Sequence, residues 1–186
     1  MNDISTVDEK FITDVVEINN KITELKQTIK DLVEESKLNE ISADVIVALE
    51  ILIRDEITGF CNVSNTFMSE MERFMSPFNP HHRDTVKDLI TTTFINFNQS
   101  IMNYSKNIDE GFEDYFISYR KYTETETKNP ENVKLLLFNR ETFHSLKRIE
   151  DCIRLFSREL NVFMISFYKN REIWRESKNH HANMFG

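Results

Sequence analysis

Phe11–Leu32 reads FITDVVEINNKITELKQTIKDL, with apolar residues at Phe11, Val15, Ile18, Ile22, Leu25, Ile29 and Leu32. The steps alternate four and three, the period of a helix that holds one apolar seam against a partner over about three heptads, as in a coiled coil. Such a seam is buried only if other helices supply matching stripes, and three more follow. The second holds Ile46, Leu49, Ile53, Ile57, Phe60, Phe67, Met71 and Phe74. The third runs from Val86 and Ile90 through Phe97, Ile101, Ile108 and Phe112 to Tyr115, Tyr119 and Tyr122. The fourth runs from Leu136 through Phe143, Leu146, Ile149, Ile153, Phe156, Leu160 and Phe163 to Phe167 and Trp174.

The breaks between stripes carry their own chemistry. Asn79-Pro80 and Asn129-Pro130 share one grammar: Asn caps orphan amides, and Pro fits the first helical position, where no amide donor is needed. Between Leu32 and Ala43 there is no Gly or Pro, and Ser36 and Asn39 stay in phase with the seam. A turn is expected there, with Ser42 capping the next helix; the alternative is one continuous helix of about seventy residues at 1.5 Å each. The expected fold is therefore all-α, a single-domain elongated antiparallel up-down bundle of four long helices near 5–36, 42–76, 80–127 and 130–178, or three if 5–76 is continuous.

Composition agrees. Among 186 residues there are three Gly and three Pro, against roughly 13 and 9 at average usage. So few turn formers exclude hairpin-rich β folds, Gly-rich dinucleotide sites and P-loops. The net charge of −8 argues against nucleic acid as a partner. It is unevenly spread: −9 over Met1–Met75, −2 over Ser76–Asn129 and +3 from Pro130 onward, so the first and last parts attract one another. Cys61 and Cys152 have no metal-type spacing, and MNDISTVDEK at the start is acidic and polar, unlike a signal peptide. Val45–Ile53, the longest apolar run, includes Glu50 and is too short to span a bilayer. A cytoplasmic protein is expected.

Two levels of the bundle stand out. Thr58–Thr66 (TGFCNVSNT) and Thr91–Ser100 (TTTFINFNQS) are weak helix formers. Folded about the Pro77–Pro80 turn they oppose one another, so Phe11, Phe60, Phe67, Phe94, Phe97, Phe163 and Phe167 are expected to form one aromatic layer. At the far end, helices 3 and 4 exceed helices 1 and 2 by about 12 residues, or about 18 Å. The resulting tip gathers Phe112, Tyr115, Phe116, Tyr119 and Tyr122 opposite Leu136 and Phe138, more aromatic surface than two helices need. These seven residues are the candidate partner-binding set, the alternative being that helices 1 and 2 reach far enough to cover them.

Candidates for chemistry are sparse. Glu141 and His144 form one E-x-x-H where a di-iron bundle needs two. His81, His82, His180 and His181 are expected at one end of the bundle, where imidazoles could take Zn²⁺ or respond to pH; most simply they are terminal surface residues. No nucleophile motif accompanies the two cysteines. The reading is a non-enzymatic interaction or scaffold protein without cofactor or resident metal, binding a protein partner or itself as a homodimer. A membrane-surface module of BAR-like or lytic-bundle kind is the alternative, an analogy of architecture alone, and a metal- or ligand-binding bundle the third.

Overall fold

The computed structural model describes residues 4–75, 80–124 and 130–185, with side chains from Val7 onward except those of 74–75, 80–83, 85–86, 89–90 and 173–185. Four helices follow one another: α1 (Ile4–Glu35), α2 (Ala43–Met75), α3 (Pro80–Glu124) and α4 (Glu131–Phe185). There is no strand among the described residues. α1 packs on α2 and α4, and α3 packs on α2 and α4, so α1/α3 and α2/α4 are the diagonals of an up-down bundle.

All seven seam residues from Phe11 to Leu32 are buried, each Ile or Phe contributing about 1.5–3 kcal/mol by leaving water. The seam does not carry the helix onward. Ser36 keeps its phase and is fully buried, but its hydroxyl donates to the Val33 carbonyl at 2.7 Å, the local bond by which Ser competes with helical continuation. The Asn39 amide returns to the Glu35 carbonyl at 2.9 Å, and residues 36–42 turn the chain. Ile41 is buried in that turn. Ser42 precedes the first residue of α2, and its carbonyl accepts the Ile46 amide at 3.3 Å, which places it at the cap.

Pro80 opens α3. Pro130 is displaced by one position from its expected place: α4 begins at Glu131, and the Pro130 carbonyl accepts the amides of Val133 and Lys134 at 3.0 and 3.1 Å. Pro130 is thus the cap itself, its missing donor again harmless. Asn79 and Asn129 lie outside the described residues. α4 continues past 178 to Phe185, because a helix need not stop where its apolar stripe does and no Gly or Pro intervenes before Gly186.

Each neighbouring pair of helices carries a polar staple. Lys21 joins α1 to Glu56 of α2 at 3.8 Å, and Arg54 joins α2 to Asp109 of α3 at 3.1 Å. Arg148 of α4 reaches Asn107, Glu110 and Asp114 of α3. Arg171 of α4 donates from Nε to Asp8 of α1 at 3.2 Å, with the Asp8 carboxylate buried.

Candidate functional site

The seven phenylalanines expected at one level meet there. Phe11 lies 4.5 Å from Phe67 and 4.9 Å from Phe167; Phe60 lies 5.0 Å from Phe97; Phe163 lies 4.7 Å from Phe97 and 5.1 Å from Phe94. These centroid distances and the mixture of stacked, tilted and edge-on pairs are those of favourable aromatic packing. All seven rings are buried.

The layer leaves a groove on its α3/α4 side. A space of about 530 Å³ opens beside Thr92, Thr93, Asn96 and Ser100 of α3, over Phe97 and Phe163 and walled by Leu155 and Val162 of α4. Arg158 and Glu159 line it as well. Glu159 accepts the Tyr104 hydroxyl at 2.6 Å, and that bond together with burial pushes the Tyr104 phenol up to about 12. The Asn170 amide donates to Thr93 at 2.9 Å.

The tip residues are placed differently from one another. Phe112, Tyr115 and Phe138 are buried; Phe116, Tyr119 and Tyr122 are half-buried against the core; Leu136 is 68% exposed. The turn at 36–42 reaches this level. Tyr115 donates its hydroxyl to the Ile41 carbonyl at 2.9 Å, Tyr122 stacks on Phe138 at 4.7 Å, and the Lys37 ammonium sits 5.5 Å from the centre of the Phe143 ring. Burial pushes the Tyr115 phenol well above its ordinary value. The aromatic surplus is largely consumed inside the chain, and only Leu136 of the seven stands well clear of it.

Glu141 and His144 both face solvent. No group of three or more His, Cys, Asp or Glu side chains converges among the described residues. The side chains of His81, His82, His180 and His181 lie outside the described residues. Burial raises the thiols of both Cys61 and Cys152, which holds them protonated and weakly nucleophilic.

The largest departure from the sequence reading is on α2. Ile46, Leu49 and Ile53 are buried as expected, yet Val45, Val47, Ile51 and Leu52 stand 42–54% exposed around them. The N-terminal third of α2 is apolar on nearly all sides, which in a folded helix signals a second surface to cover. The run Val45–Ile53 carried that signal, but an all-apolar run shows no periodicity from which an outer face can be told from the core. No helix is long and apolar enough to cross a membrane among the described residues.

No protein-family model, curated protein or solved structure matches the chain, so the functional reading stands on this geometry alone.

Proposed function

We propose that the chain is a non-catalytic interaction bundle, a scaffold that self-associates through the outer surface of its helices. The exposed apolar face of α2, with Val45, Val47, Ile51 and Leu52 projecting beside the buried Ile46, Leu49 and Ile53, carries this reading. Four large aliphatic side chains along about two turns form a patch of the kind that marks protein contact. The aromatic tip contributes stiffness instead, since Tyr115 and Tyr122 bind the turn at 36–42.

Sedimentation velocity over a wide range of protein concentration tests the proposal. The expected result is a weight-average mass rising above the 22.1 kDa of one chain as concentration increases, with the Ile51→Lys, Leu52→Lys double variant remaining at monomer mass while keeping its helical circular dichroism. A single 22.1 kDa species at every concentration would contradict it.

A further inference from the structure

Resting on the self-association just proposed, we infer that one copy docks the outer stripe of its α2 against the outer stripe of α4 on the next copy. The α2 stripe is Asp44, Ala48, Ile51 and Asp55; the α4 stripe is Arg158, Val162, Ile165 and Lys169. Both follow the spacing i, i+4, i+7, i+11, which lies along one helix face because eleven residues make just over three full turns. All eight side chains are exposed.

The two stripes are chemical complements. Each has two small or aliphatic residues at its centre, and the ends are acidic on α2 and basic on α4. The end-to-end separation is about 16 Å in both, at 1.5 Å per residue, so both charged ends meet opposite charge in one alignment. The α2 stripe is flanked by Val45, Val47 and Leu52, and the α4 stripe by Leu155 and the groove over Phe97 and Phe163. Ala48 at the centre of the α2 stripe allows close approach of the backbones.

Within one chain the stripes cannot meet, because α2 and α4 are diagonal in the bundle. Two copies of the α2 stripe pair poorly, since an antiparallel two-fold contact sets Asp44 against Asp55. The contact is therefore heterologous: each copy offers one acidic and one basic stripe on different sides, and successive copies join head to tail into an open chain unless the rotation closes a ring. A contact one helix wide and about 16 Å long lies below the roughly 800 Å² per partner of a standard interface. Each junction is accordingly weak, and assembly depends on concentration.

Blocked variants test the polarity. Ile51→Lys removes the α2 stripe and Ile165→Glu removes the α4 stripe; both positions are exposed, and retention of helical circular dichroism confirms folding. Each variant alone is expected to associate about tenfold more weakly than the wild type or less, like charges now lying across the contact. Their equimolar mixture is expected to regain association, because each variant keeps the stripe that the other lacks and the two introduced charges are opposite in sign where the altered stripes meet. Self-association of Ile165→Glu at wild-type strength would overturn the head-to-tail contact while leaving self-association standing. Failure of the mixture to associate more strongly than either variant alone would also overturn it. A wild type that is monomeric throughout would overturn both proposals.

Discussion

Gly59 and Gly111 sit in helix interiors, where Gly costs roughly 0.5–1 kcal/mol relative to Ala, yet the structure separates them. A Cβ on Gly59 would meet nothing within 4 Å, whereas one on Gly111 would lie 2.7 Å from Ile149 Cγ1 and 3.4 Å from the Ser145 carbonyl oxygen. Gly111 is what lets α3 and α4 approach at the base of the tip. Gly59→Ala is expected to stabilise the protein by about 0.5–1 kcal/mol. Gly111→Ala is expected to destabilise it by about 1–2 kcal/mol, the overpacking of a buried branch exceeding the helix gain. Urea denaturation of both variants checks the pair, and opposite signs are the result to look for. In the sequence, Gly59 falls in the weak stretch Thr58–Thr66 and Gly111 at the base of the tip, beside Phe112. Their different roles depend on which residue of the facing helix lies opposite, and that is set by packing.

At the scale of the elements, α1 was the most legible part of the chain, because alternating steps of four and three at Phe11–Leu32 specify one buried face and leave little freedom of register. The phenylalanine layer was legible for a related reason: folding two stripes about the Pro77–Pro80 turn fixes which rings share a level. The cover over the tip was not, since it depends on how far residues 36–42 extend before α2 begins. Ile41 accepting from Tyr115, and Glu40 from Tyr122, are contacts more than 70 residues apart in sequence. Two of the phenols carry a pH dependence. The Tyr104 and Tyr115 phenols are raised in the folded state above the ordinary value of 10, Tyr104 chiefly by its bond to Glu159 and Tyr115 chiefly by burial. Because folding favours the neutral phenol, their contribution is complete below pH 10 and is lost as pH rises above it, that of Tyr104 through about 12. Alkaline titration followed by phenolate absorbance and far-ultraviolet circular dichroism together should show the last tyrosines ionising as the helices melt. All five tyrosines titrating near pH 10 with helicity unchanged would refute this coupling.

At the scale of the molecule, the antiparallel bundle of long helices and the charge asymmetry between the first and last parts read directly from the sequence, whereas the choice of four helices over three waited on the turn at 36–42. The asymmetry has an inward and an outward component. Inside one chain it appears as the buried contact of Arg171 with Asp8 between α4 and α1. On the surface it appears as an acidic stripe on α2 and a basic one on α4, which the bundle holds apart on a diagonal. Neither stripe could be singled out beforehand, because Val45–Ile53 is apolar on both faces and Arg158–Lys169 reads as the polar back of a core helix. Only the packing shows that Ile51, Val162 and Ile165 are left outside. The most direct test places a spin label at Thr58→Cys, an exposed position of α2 just beyond the Asp55 end of the stripe, in isotopically silent copies, in a Cys61→Ser background, and mixes them with isotope-labelled wild type. Broadening of amide signals in Arg158–Lys169 of α4 is the result predicted; broadening centred on α2 of the labelled copies, or none at concentrations where the wild type associates, would contradict the account.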